Sequence, residues 1–270
     1  MTVVVCWERI GHGNVRELVV ASDSRLSGGE SWDTCPKIFH LNRQDAVLAF
    51  AGATTRAYPF VLQALNVVAS TRNTANGSVD LRHLAKKIQK MANSMLKQFS
   101  SFPMDDDHAG CELLLAGWSW QHQRFETHVI DAASPPGPGQ KFRLTSRFAR
   151  GDEGVWEIIG DKKSDLRRRI SGLLESEPDQ FVSEVALTDW TPLTALSDLC
   201  LKSNKHDTVG GTPQMFKVHR QPRVEQFAVT VNGTVAIGGR PLMEGERHDL
   251  RTIKRRPSEP GQPVIWRVCE

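Results

Sequence analysis

Residues 46–51 read Ala46-Val47-Leu48-Ala49-Phe50-Ala51, a run without a polar side chain. Such a short run fits a strand covered on both faces, whereas a half-exposed strand alternates apolar with polar residues. Directly afterwards the period changes. Tyr58, Val61, Leu62, Leu65, Val68 and Ala69 fall on one helical face. After a break from Asn73 to Gly77 a second helix is expected from Asp80 to about Phe99, with Leu81, Leu84, Ile88, Met91, Met95 and Leu96 as its stripe and Asp80 at its N-cap.

Working outward from this junction, three more strands are expected upstream: Thr2 to Trp7, Glu17 to Ser22 running into Asp23-Ser24-Arg25, and Lys37 to Leu41. Downstream, CELLLAGW from Cys111 and the alternating run from Arg124 to Asp131 read as strands, followed by a Pro/Gly loop over 133–139. Then come a strand from Gly154, a helix from Asp161 to about Glu175, a helix near Leu193 to Leu201, and strands at 214–219, 226–231 and 234–237. An Asn232-Gly233 hairpin turn joins the last two. Runs of strands alternating with pairs of helices argue against a doubly wound parallel sheet. They predict an α+β fold, a four-layer α-β-β-α sandwich of two antiparallel sheets covered by helices. Residues 1–239 are expected to form one domain, and 240–270, polar and carrying Pro257, Pro260 and Pro263, a peripheral C-terminal extension.

Composition excludes several classes of function. The chain has 270 residues, 39% hydrophobic and 24% charged, with a formal net charge of +3. The basic runs Arg167-Arg168-Arg169 and Lys254-Arg255-Arg256 are short and read as a solvated helix face and a polar tail, so no nucleic-acid partner is expected. Five cysteines, an odd number with no Cys-x-x-Cys pair, suggest neither a disulfide framework nor a zinc site. No segment approaches the ~20 apolar residues of a membrane helix, and no basic region precedes the first apolar run as in a signal peptide. A cytoplasmic protein with no membrane partner is the expectation.

Familiar catalytic signatures are missing: there is no P-loop, no dinucleotide fingerprint, no His-Glu-x-x-His and no Gly-x-Ser-x-Gly. His40, His128 and His206 read as surface or packing residues, and Asp105-Asp106-Asp107-His108 as a solvated loop. The chemistry is expected at the start. Loss of Met1 would expose Thr2 with a free α-amine, whose ordinary pKa of about 7.7–8.0 makes it a usable base near neutrality. One residue then carries both nucleophile and base. Asp23 closes the second strand and Lys37 opens the third, so both can converge with Thr2 on one sheet edge. The lysine cation would favour the deprotonated hydroxyl and amine, with Asp23 holding the lysine. Gly52, in Ala51-Gly52-Ala53-Thr54, offers an N–H for an oxyanion.

The order Thr2, then VVASDSR with Asp23, KIFHL with Lys37 and AFAGAT with Gly52 resembles the proteasome β-type subunits and the related bacterial peptidase subunit among the N-terminal nucleophile hydrolases. The resemblance implies Thr2 as nucleophile, Asp23 and Lys37 as its catalytic partners, and Gly52 as the oxyanion donor. It also implies a substrate pocket lined by Phe50, Ala51 and Thr54, and no cofactor or metal. Leu113 to Trp118 resembles the family's central strand, and Asp207-Thr208-Val209-Gly210-Gly211 a later Asp-x-x-Ser-Gly element, which makes Asp207 a candidate support for the amine. Two positions differ from the family: Val209 stands where it has serine, and Asp161 follows Gly160 where it also has serine.

The expected activity is therefore a threonine-type peptidase acting on peptides or other amides. Its alternatives are a noncatalytic proteasome-like subunit and an amidohydrolase of small amides. By the same resemblance a homo-oligomer and an ATP-driven unfoldase partner are expected.

Overall fold

A computed structural model describes residues 2–11, 15–28, 30–98, 110–132, 141–148, 154–175, 189–256 and 264–269. The loop at 133–139 and the acidic run at 105–108 lie outside them. In chain order the strands are β1 (Val3–Ile10), β2 (Arg16–Ser22), β3 (Leu26–Gly28), β4 (Glu30–Trp32), β5 (Ile38–His40) and β6 (Ala46–Gly52). Helices α1 (Thr54–Ala69), α2 (Arg72–Ala75) and α3 (Leu81–Leu96) follow, then β7 (Cys111–Ser119), β8 (Arg124–Ala132), β9 (Phe142–Phe148) and β10 (Trp156–Gly160). Helices α4 (Lys163–Glu175) and α5 (Thr191–Leu201) precede β11 (Gln214–His219), β12 (Arg223–Val231), β13 (Thr234–Ile237), β14 (Arg240–Pro241), β15 (Thr252–Arg256) and β16 (Ile265–Cys269).

The expected sandwich of two antiparallel sheets covered by helices is overturned. Among the described residues three sheets form, with 41% strand against 27% helix, and the helices are short. The largest sheet has nine strands in the order β10-β1-β2-β11-β12-β13-β14, with β15 on β12 and β16 on β15. The β12–β15 pair is parallel. A five-stranded sheet runs β5-β6-β7-β8-β9, and β3 with β4 makes a separate hairpin. The physical reason is that the expected layers left out several charged edge segments. FRLTSRF in β9 pairs with β8 while exposing both arginines. The stretch after Gly239, expected at the periphery, supplies β15 and β16, and sets Ile253 and Trp266 in the core. Lys254-Arg255-Arg256 is thus strand, with Arg255 bonded to Ser197 and Asp198 of α5.

The apolar residues sort into three clusters by strand alternation, because successive side chains point to opposite faces. Val3, Val5, Trp7, Val19 and Ala21 meet α4 and α5 residues such as Leu166, Ile170, Leu193 and Leu196. Leu48, Phe50, Leu113 and Leu115 meet Phe60, Val61, Leu84 and Ile88 of α1 and α3. Val4, Cys6, Leu18 and Val20 pack against Val47, Ala49, Ala51 and Leu114, joining the two larger sheets. The fully apolar run at 46–51 is buried at every position, as its composition requires. Asp80 stands at the N-cap of α3, but its carboxylate accepts from the Ser119 hydroxyl (3.0 Å) and the Gln121 N–H (3.2 Å) and leaves the helix N–H groups alone. Among the described residues no helix is long and apolar enough to cross a membrane.

Candidate active site

Three strand ends meet at Thr2. Antiparallel pairing of β1 with β2 sets Val4 opposite Ser22, and pairing with β10 sets Val3 opposite Gly160. Thr2 therefore lies between the residues that follow β2 and those that follow β10. It is fully buried, and its Oγ1 makes no hydrogen bond among the described residues. The large majority of native buried side-chain polar atoms find partners; Thr2 Oγ1 is one of ten among the described residues that do not, and its place where three strand ends meet sets it apart.

Asp23 and Lys37 are also fully buried and paired, Lys37 Nζ lying 3.0 and 3.1 Å from the two carboxylate oxygens of Asp23. Lys37 further donates to the Arg25 carbonyl. The Asp23 carboxylate accepts three backbone N–H bonds as well, from Val3 (3.1 Å), Arg25 (3.2 Å) and Gly210 (3.1 Å). Burial pushes the Asp23 carboxyl up, against the pull of Lys37 and the backbone donors. It likewise pushes the Lys37 ammonium down, with Asp23 opposing. A lysine desolvated in this way is a compact charge whose field reaches its neighbours little weakened by water. Through the Val3 N–H, Asp23 also fixes the backbone immediately after Thr2.

Sequence reasoning missed the residue that aligns the pair. Gln214, at the start of β11 and 1% exposed, accepts the Lys37 N–H at Oε1 (3.1 Å) and donates from Nε2 to the carbonyls of Asp23 (3.2 Å) and Cys35 (2.7 Å). One buried amide thus ties together the backbones that carry both charges. No motif announces it, since its partners lie about 180–190 positions away in sequence. A glutamine opening the strand Gln214-Met215-Phe216-Lys217-Val218-His219 is the only trace it leaves.

Gly52 ends β6 with φ +97°, and a Cβ there would lie 2.2 Å from the Gly110 carbonyl oxygen, so only glycine fits. Register places Lys37 beside this strand end: the Phe50 N–H donates to the Lys37 carbonyl (3.1 Å). The ends of β6 and β10 touch next to Thr2. A Cβ on Gly160 (φ +95°) would lie 2.0 Å from the Thr2 carbonyl oxygen and 2.7 Å from the Ala51 Cβ. Thr2, Asp23, Lys37, Ala51 and Gly52 are thus brought together.

Three other candidates are placed differently. The Phe50 ring lies on the helical side, with its centroid 5.1 Å from that of Tyr58 and 6.2 Å from that of Phe39, on the face opposite Ala51. Thr54 opens α1, and its buried Oγ1 is without a hydrogen bond. Asp207 turns to Lys162 Nζ (2.7 Å) and the Asn204 N–H (2.8 Å), while its loop is held by Arg25, which bonds the Asn204 and Asp207 carbonyls and the Asp33 carboxylate. Val209, at the departed serine position, is buried in the helical-side core with β1 and α5. Of the histidines, His206 and His40 are exposed, whereas His128 is buried against Ser146 (2.8 Å).

No known protein-family model matches this chain, and a search of the curated proteins returned no match either.

Proposed function

We propose that the chain is a threonine-nucleophile amide hydrolase, most simply a peptidase, whose working form begins at Thr2. The observation that carries this reading is the orphaned, fully buried Thr2 hydroxyl set one residue from the contact between Val3 and the buried Asp23–Lys37 pair. A hydroxyl that satisfies nothing in the fold is accounted for if its partner is substrate. Once the Met1–Thr2 bond is cleaved, the α-amine takes the proton of Thr2 Oγ1 as the oxygen attacks the substrate carbonyl. The Gly52 N–H faces the oxyanion, the ammonium returns its proton to the leaving nitrogen, and water resolves the acyl-enzyme by the reverse path. The Lys37 ammonium favours the alkoxide-like oxygen during attack. The likeness of VVASDSR, KIFHL and AFAGAT to proteasome β-type subunits supports the same assignment.

The test is direct. Intact mass of the purified protein gives the state of residue 1, and an electrophilic probe of threonine nucleophiles, followed by peptide mapping, locates the adduct. Loss of Met1 with the adduct on Thr2 is expected. Retention of Met1 in the native protein, or an adduct elsewhere, overturns the reading.

A further inference from the structure

A second orphan lies across the strand from Thr2. The Asp161 N–H donates to the Thr2 carbonyl (2.8 Å), which pins the turn after β10 to the first residue of the core. That turn carries a local cost at Lys162, a residue with a Cβ held at φ +53°, while Gly160 takes its φ of +95° freely. Its cost is explained if the turn has to hold Asp161 in one place. Yet one oxygen of the Asp161 carboxylate is left over: its buried Oδ2 accepts no hydrogen bond among the described residues. An unpartnered buried carboxylate oxygen is expensive, and a cation arriving beside it would offset that cost.

The neighbouring charges are already committed. Lys37 is bound to Asp23, Lys163 to Glu112 (2.6 Å), and Lys162 to Asp207 (2.7 Å). Glu112 also accepts the Gly160 N–H (2.5 Å). Burial pushes the Asp161 carboxyl up and Glu112 pushes it further, while Lys37 and Lys163 pull it down. Loss of Met1 would set a further cation on Thr2, whose carbonyl the Asp161 N–H already holds.

We infer that the Asp161 carboxylate is the positioning partner of the Thr2 α-amine, holding the ammonium that forms when the amine takes the hydroxyl proton. This rests on Thr2 being the first residue of the working chain. The amine gains the proton that Oγ1 loses, and Asp161 stays ionised throughout, stabilising the new positive charge as it develops and orienting the lone pair beforehand. Asp161 thereby raises the proton affinity of the base, while Lys37 lowers it. The opposed carboxylate and ammonium set the pH at which the nucleophile becomes active.

The experiment uses the chain beginning at Thr2, released from a fusion, with the Thr2 nitrogen labelled for NMR titration. Asp161→Asn is expected to lower the amine midpoint by about one pH unit. The acid limb of kcat/KM should move down with it, while Asp161→Glu keeps the wild-type midpoint. Asp161→Ser serves as a second neutral variant should the amide disturb the turn. An amine midpoint unchanged in both neutral variants overturns the inference, whatever the activity. Conversely, an amine that shifts as expected in a protein never acylated by substrate or probe leaves Asp161 in its role and overturns the hydrolase reading alone.

Discussion

Strand β2 has a buried carboxylate–lysine pair at each end, and the two ends differ in what surrounds them. At its start Glu17 meets Lys217 (2.8 Å) and Arg9 (2.7 Å), with the Lys217 and Arg9 cations lying over the Trp190 ring at 5.1 and 4.1 Å. Just past its other end Asp23 meets Lys37 and three backbone N–H groups, with Thr2 one residue away. Burial pushes both acids up. At Glu17 two cations outweigh it and hold the carboxyl below its ordinary value, whereas at Asp23 it prevails. The Glu17 group ends against an aromatic wall. The Asp23 group ends at a hydroxyl with no partner. A buried ion pair is therefore a poor marker of chemistry by itself, and the proposed function rests on the Thr2 hydroxyl beside it.

The largest effect should separate the ends completely. Thr2→Ala in the chain beginning at residue 2 is expected to reduce probe labelling and amide hydrolysis by at least about a thousandfold. Its thermal midpoint should barely move, because Thr2 Oγ1 supports no hydrogen bond of the fold. A large loss of stability instead would show the hydroxyl to be structural and remove the distinction.

Next comes the lysine swap. Lys37→Met leaves the buried Asp23 carboxylate without its cation, and urea unfolding should register a loss of about 3–5 kcal/mol, whereas Lys217→Met keeps Glu17 paired with Arg9 (2.7 Å) and should lose less. Per folded molecule, only Lys37→Met should lose activity. Equal catalytic losses at the two ends would break the comparison. Gln214→Leu should be milder, about 1–3 kcal/mol from the three backbone groups it unpairs, with kcat falling because the Asp23 and Lys37 backbones lose their common tie.

How far these two ends could be read from sequence depends on whether the information is local. Strand alternation and turn chemistry found β1, β2, β6 and the hairpin at Asn232-Gly233, where both residues have positive φ. Asp23 and Lys37 were legible because they terminate strands. Phe50 and Ala51 were expected to line one pocket, yet adjacent residues in a strand face opposite ways, and the two lie on opposite faces of β6. The edges β9, β15 and β16 were not legible, since each owes its place to a partner strand rather than to its own composition. The Gly210 N–H and the Gln214 amide reach Asp23 from nearly two hundred residues away, and only tertiary structure brings them there.

The smallest effect is a matter of pH. Glu17 has a folded pKa below its ordinary 4.5, so its stabilisation is complete above that value and is lost as pH falls through the lower folded one. Asp23, with its folded pKa raised, works in the opposite direction: charging it costs stability as pH rises from its ordinary 3.8 through the folded value, and acid relieves that cost. Glu17→Gln should therefore flatten the decline in unfolding free energy below about pH 4.5, while Asp23→Asn should steepen it, because a group whose protonation offset the decline is gone. Urea midpoints taken at several acidic pH values measure both slopes. Slopes changing in the same direction would mean that the two carboxylates are held alike, and that the difference between the two ends lies in the nucleophile alone.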